Sequence, residues 1–356
     1  MECLVPSVSL AGASTALHIP GRPDARLHPI HGGSWPICAS CATVPHSPIG
    51  GSAGAEAYSN PDSTSSAIYS PEAVNRMGFD LTRSQFDRWV RAYEPSQYDT
   101  FGVNDARFTT PMNHALKCRD RLHVALRSGL QRLPDGPQTI VDFGPFPGSL
   151  LRLLRRIEPT RAMRLFGAGL MTSPEFVQFM RQDADVEILT VNLDPSGQQF
   201  MSKGYQEKVP LSDHSAQLVF ALEIVEHLTS PFHLIAEAYR LLKSGGHLVI
   251  TTPNVTRIGN IFKLLIGRSP NDRLAPPGYD DPNDEWRPHA REYAMHELAD
   301  MLRHVGFEIA LSRFFLGEDT QDCQQAARQS AIDWAKVPFY LIPHLRGSLL
   351  IMGRKP

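Results

Sequence analysis

Along this chain the apolar positions keep two rhythms. From Thr139 onward, short apolar runs bounded by Gly, Pro, Asp and Asn alternate with stretches whose apolar residues recur every three or four positions. The runs predict strands over Thr139–Gly144, Met163–Gly169, Val186–Asn192, Gln217–Glu223, His247–Pro253, Phe307–Phe314 and Ser348–Gly353. The helical spacing predicts helices near Gly148–Ile157, Ser173–Arg181, Pro231–Leu242 and Met295–Val305. Strands and helices in alternation make βαβ units, and so a parallel sheet with helices on both faces. Ser330–Tyr340 is a candidate helix between the last two strands, but an antiparallel final pair is equally allowed.

Upstream the pattern differs. Phe86, Trp89, Val90 and Tyr93 repeat at helical spacing, and a second helical pattern covers Met112 to Leu130, so residues 76–138 predict a helical N-terminal cap. Residues 1–75 hold nine of the 29 prolines, many Gly, Ser and Ala, and no lysine. Such a segment buries too little apolar surface to offset its ordering entropy, and a disordered tail is expected. Within it, Cys38 and Cys41 are flanked by His31 and His46, a zinc-compatible set or a chance scatter in a flexible tail.

Composition narrows the function classes. With 35 basic against 37 acidic side chains the formal charge is −2, which offers no basic field for nucleic acid and no stripe for an anionic membrane. Five cysteines in 356 residues do not make a disulfide framework. No apolar run reaches spanning length and no secretory leader is evident, so a cytoplasmic enzyme with no membrane partner is expected. Oligomeric state is not legible.

Two blocks carry chemistry. The first strand runs into Ile140-Val141-Asp142-Phe143-Gly144-Pro145-Phe146-Pro147-Gly148-Ser149 and then a Leu-rich helix. Glycines at such a turn let backbone approach a ligand, and the helix N-terminus supplies free N–H groups. Further on, Val209-Pro210-Leu211-Ser212-Asp213 precedes a strand, followed by Ile224-Val225-Glu226-His227-Leu228, a helix from Pro231, the turn Leu242-Lys243-Ser244-Gly245-Gly246 and Ile250-Thr251-Thr252-Pro253-Asn254. In that turn Gly245 suits a helix stop in the left-handed region. This ordered series resembles the class I S-adenosylmethionine-dependent methyltransferases over residues 139–315.

That resemblance implies an α/β fold, a doubly wound seven-stranded, mostly parallel sheet with an antiparallel last strand, in a domain spanning 139–356. It also implies S-adenosylmethionine as cofactor, held by Asp142, Gly144, Pro145, Gly148, Asn192, Asp194 and Glu223. Two positions depart from the family pattern. Phe146 stands where a middle glycine is usual, and Gly169 stands where an acidic residue commonly binds the ribose hydroxyls. Thr172 and Ser173 are neighbouring substitutes. Asp194, two residues after the third strand's end, is the candidate for the adenine side, or else a turn-forming Asp before Pro195.

Glu223, Glu226 and His227 fall at i, i+3, i+4, so one helical turn would put all three on one side. A similar Glu-x-x-Glu-His occurs in ubiquinone-pathway O-methyltransferases and small-RNA 2′-O-methyltransferases, where the resemblance implies a divalent metal held together with a later histidine. Here that histidine is His289. Three readings stand. Glu223, Glu226, His227 and His289 hold a metal; or His289 and His227, with Glu223, act on the acceptor as acid or base; or Glu226 and His227 cap the helix that starts at Pro231. Residues 254–294 form a long insertion that suits a lid. Ile261–Leu265 would cover the acceptor, and Trp286 and Tyr293 would stack on it. The expected activity is methyl transfer to a small or medium organic acceptor, with oxygen favoured. A non-catalytic scaffold and a metal-dependent RNA methyltransferase are the alternatives, the acidic balance counting against RNA.

Overall fold

A computed structural model describes residues 81–101, 112–158, 162–170, 172–194, 207–271, 289–316 and 336–356. The expectations for residues 1–75, including Cys38 and Cys41, for Trp286 and for residues 330–335 lie outside these.

The seven strands are β1 (Gln138–Phe143), β2 (Met163–Gly169), β3 (Val186–Thr190), β4 (Ala216–Leu222), β5 (Leu242–Pro253), β6 (Glu308–Phe315) and β7 (Ser348–Arg354). They form one sheet in the order β3-β2-β1-β4-β5-β7-β6. β7 runs antiparallel to both β5 and β6, so it alone reverses direction. The expected sheet is thus found, with its final strand reversed. Chain order flips between β1 and β4, and open α/β sheets bind ligands at such a switch point.

The helices are α1 (Arg83–Arg91), α2 (Arg119–Leu130), α3 (Ser149–Ile157), α4 (Pro174–Ala184), α5 (Pro231–Leu241), α6 (Ile258–Leu265) and α7 (Met295–Val305). Central strands are buried on both faces, which is why β1 and β4 read as nearly continuous apolar runs. One face packs Ile140, Leu218 and Phe220 against the cap and α3; the other packs Val141, Val219 and Ile250 against α5 and α7.

Three boundaries shift from their expected places. The pattern from Met112 to Leu130 breaks at Cys118 into a turn at His114–Lys117 and then α2. Gly245 does adopt a left-handed φ of 79°, but it does not end the helix: α5 stops at Leu241 and the chain passes directly into β5. There the Gly245 N–H donates to the Lys355 carbonyl, so the glycine serves a strand irregularity instead of a cap. Gly148, expected within the first helix, is its N-cap with φ 95°.

A buried ion cluster staples the cap to the sheet domain. Arg152 of α3 is 3% exposed and donates to Asp99 at 2.8 Å and to Asp183 at 2.7 Å. It also donates to the Tyr93 hydroxyl, while its guanidinium lies over the rings of Tyr93 and Phe179. Asp99 is fully buried and accepts further from Tyr93, and from the N–H and hydroxyl of Ser96. Every charge here has a partner, so the cluster costs little as a whole and much when broken.

Two outcomes follow from these contacts. Arg152→Met, which leaves Asp99 buried and unpaired, should lower unfolding free energy by about 3–5 kcal/mol in urea titration; a loss below about 1 kcal/mol would show the cap to be held by apolar packing alone. His247 of β5 is held neutral by burial, aided by Arg132 and Arg354, with its pKa lowered to about 4. An unfolded imidazole takes its proton near pH 6.5, so this contribution is complete above that pH and is lost as pH falls through 4. His247→Gln should remove roughly 3 kcal/mol of acid destabilisation across that window. Parallel stability–pH curves for wild type and variant would contradict it.

Candidate active site

At the carboxyl ends of β1, β2 and β4 lies a cavity of about 530 Å³. Asp142, Gly144 and Pro145 line it from β1, Gly169 from β2, Asn192 and Asp194 from beyond β3, and Glu223, Glu226 and His227 from beyond β4; His289 closes one side. All but one of the residues expected to hold the donor or a metal, or to act as acid or base, therefore meet in a single cavity. The exception is Gly148. A Cβ there would come within 2.4 Å of Met180 Sδ, so this glycine serves the packing of α3 on α4.

The first wall is a cradle without side chains. Gly144 has φ 73°, and a Cβ on it would meet Ile224 at 3.0 Å. Asp142 is 4% exposed and has no hydrogen-bond or ion-pair partner among the described residues, and burial pushes its carboxyl well above the usual range. A buried carboxyl facing a cavity in this way suits a ligand cation or hydrogen-bond donor. Gly169 offers no polar group. Thr172 and Ser173 do not replace one, because Thr172 bonds to Thr190 and Leu170, and Ser173 caps α4 by accepting from Phe176 N–H.

Asp194 lines the cavity, yet its carboxylate is committed. It accepts from Thr229 N–H at 2.8 Å and Ser230 N–H at 3.3 Å, while its own N–H donates to Asn192 Oδ1. Those amides precede α5, so Asp194 orders the entry to the Pro231 helix. The reading in which Glu226 and His227 cap that helix is corrected here.

The opposite wall carries the trio. Its geometry is not one helical turn: Glu223 takes φ 53°, uncommon for a non-glycine, and only Val225–His227 form a 3-10 turn. The Glu223 carboxylate thereby turns toward the cap and pairs with Arg121 of α2 at 3.2 Å. Glu226 is fully buried. Its Oε2 accepts from Thr252 at 2.9 Å, and its Oε1 has no partner among the described residues. Burial, then the charge of Glu223, raises its pKa well above the usual carboxylate range. The Glu226 backbone carbonyl accepts from Ala290 N–H at 2.7 Å and Arg291 N–H at 3.2 Å. That contact lays His289 against His227, ring centroids 4.7 Å apart and edge to face. Glu226, His227 and His289 each offer a ligand atom, and the three atoms lie within 4.8 Å of one another.

Behind His289 stands Glu292, with 3.7 Å between Nδ1 and Oε1. Burial alone would raise Glu292, but His289, Arg257 and Asn260 together hold it below its ordinary value. Two expectations for the insertion fail. Tyr293 is buried in the core and bridges to Asn254, so it does not stack on a ligand in the cavity, and Ile261–Leu265 do not line the cavity. What sequence reasoning missed is the cap's share of the wall: His114, Lys117, Cys118 and Arg121. Their i, i+3, i+4, i+7 spacing was the available signal, and His114 Nδ1 reaches Ser149 Oγ at 2.5 Å, at the start of α3.

A glycine cradle at the switch point, across from acidic and imidazole groups, suits a nucleoside-like donor. The comparisons agree. A family model for a methyltransferase domain matches residues 117–312, more than half of the chain, and the chain belongs to that family. A probable S-adenosylmethionine-dependent methyltransferase of Mycolicibacterium smegmatis is 28% identical over 106 residues, 30% of this chain and 34% of that protein. A ubiquinone biosynthesis O-methyltransferase of Marinobacter nauticus is 31% identical over 99 residues, 27% of this chain and 38% of that one. The chain thus spans about a third of the length of the curated relatives it matches. An S-adenosylmethionine-dependent methyltransferase from Mesorhizobium loti has a similar structure, with 19% identity, a TM-score of 0.42, and coverage of 65% of this chain and 97% of that one. What these matches establish for the chain is a methyltransferase domain over residues 117–312.

Gly144→Val should weaken S-adenosylhomocysteine binding at least tenfold in calorimetric titration, because a branched residue is strained at φ 73° and fills the cradle. The far-UV spectrum should stay unchanged. An unaltered isotherm would place the donor elsewhere.

Proposed function

We propose that the chain methylates an oxygen of a small or medium organic acceptor, which is held between the glycine cradle and the Glu226–His227–His289 wall. The observation that carries this reading is the convergence of a fully buried carboxylate and two imidazoles beside the donor cradle. S-adenosylmethionine supplies an electrophilic methyl on a sulfonium. The protein has to hold the acceptor oxygen in line with it and take up the oxygen's proton.

The donor fits the near wall. Gly144 and Pro145 admit it closely, and the buried Asp142 carboxyl is placed for its amino group. With Gly169 in place of an acid, the ribose gains less there, and Asn192 remains on that side of the cavity. The opposite wall fits a divalent cation: mixed carboxylate and imidazole ligands suit Mg²⁺, Mn²⁺ or Zn²⁺, and Glu226 Oε1 is buried without another partner. Glu226, His227 and His289 would hold it, and Glu292 would orient His289 from behind. Glu223, paired with Arg121, stands outside that set and faces the acceptor. A bound cation would supply charge to lower an acceptor hydroxyl's pKa.

A second reading rests on the same pair, His289 with Glu292. An imidazole backed by a carboxylate suits proton removal at neutral pH without any metal.

The test is turnover with a panel of phenols, carboxylic acids and amines, followed as S-adenosylhomocysteine release. Oxygen acceptors should react, and His289→Ala should cut the rate about 10²–10⁴-fold while leaving donor affinity intact. A chelator should abolish turnover in the metal reading and leave it untouched in the base reading. Reaction with amines alone, or wild-type turnover by His289→Ala, would overturn both.

A further inference from the structure

Among the described residues, large apolar side chains left in solvent are concentrated in two segments. Phe262, Leu264, Leu265 and Ile266 are exposed at the end of α6, Leu265 by 74%. Val337, Phe339, Leu341 and Ile342 are exposed in the stretch before β7, Leu341 by 83%. The segments touch. The Phe262 and Phe339 rings meet edge to face at 5.9 Å, and the start of the α6 segment is bonded to the other, Asn254 Nδ2 to the carbonyls of His344 and Arg346 and Thr256 Oγ1 to that of His344. They therefore make one apolar face, and an exposed apolar face with a polar rim marks a contact with a partner or a membrane.

Its charges are of one sign. Residues 257–271 contain Arg257, Lys263 and Arg268 and no acid; residues 336–346 contain Lys336, His344 and Arg346 and no acid. Arg257 is met by Glu292, and the other bases of the two segments would bring like charges together in a second copy on this face. We propose that this face seats the protein on an anionic lipid bilayer, with the apolar side chains at the acyl boundary and the basic rim among headgroups. No helix among the described residues is long and apolar enough to cross a membrane, so this is contact with one leaflet. The whole-chain charge of −2 conceals the site, because the fold gathers the bases in two segments 65 or more positions apart.

The seat is tied to the active site. Arg257 and Asn260 of the α6 segment donate to Glu292 at 2.6 and 2.8 Å, the carboxylate that also stands behind His289. An acceptor dissolved in the bilayer would then be met by a protein whose docking helix and candidate catalytic histidine share one anchor.

Flotation of the full chain with vesicles tests this. Wild type should float with phosphatidylcholine–phosphatidylglycerol vesicles at least tenfold better than with pure phosphatidylcholine, and added salt should weaken it. The triple variant L265S/I266S/L341S should stay soluble while binding S-adenosylhomocysteine as wild type does. K263E/R268E, which alters the rim alone, should lower flotation independently. The proposal is overturned if wild type does not float, if both variants float as wild type does, or if the triple variant instead converts a dimer to a monomer.

Discussion

The buried carboxylate of Glu226 is the constraint around which the site is arranged. A fully buried acid must find partners or lose its charge, and among the described residues Glu226 accepts from its own backbone and from the Thr252 hydroxyl on β5. Its peptide carbonyl meanwhile takes two N–H groups from residues 290 and 291, closing the long excursion after β5 back onto the end of β4. One residue thus fixes where His289 stands and brings a carboxylate oxygen within 4.8 Å of one of its ring nitrogens. In the proposed reading, a bound ligand answers that unmet demand.

Around that point the charges are distributed with little redundancy. Arg121 reaches across from the cap to Glu223, which relieves repulsion between two adjacent acids. Asp194 spends its carboxylate on the entry to α5, leaving the trio out of that duty. Arg152 locks the cap through Asp99 and Asp183, so Arg121, Lys117 and His114 approach the cavity from a fixed base. The cap is therefore part of the site.

Much of this was legible in the sequence. The parallel strands are apolar on both faces, so their runs stand out. The motif around Gly144 and the Glu-x-x-Glu-His stretch sit at strand ends, where the periodicity breaks. The rest was hidden for physical reasons. Nothing in the spacing of Glu223 announces a left-handed φ, and a helical turn was the natural extrapolation. Tyr293 reads as an exposed aromatic in a polar insertion, yet the bridge to Asn254 draws it into the core. The Arg152 cluster joins residues 53 and 31 positions apart, a separation that pattern reading does not reach. Gly148 reads as a ligand glycine, whereas in the fold it sits against Met180 and outside the cavity lining.

The central claim is that Glu226, His227 and His289 form one ligand set beside the donor. It is tested most directly by the anomalous difference map of a crystal grown with Mn²⁺ and S-adenosylhomocysteine. One strong peak bonded to Glu226 Oε1 and to both imidazoles, on the acceptor side of the bound nucleoside, is the expected result. A map with no peak there, or with the manganese held elsewhere on the chain, would contradict it.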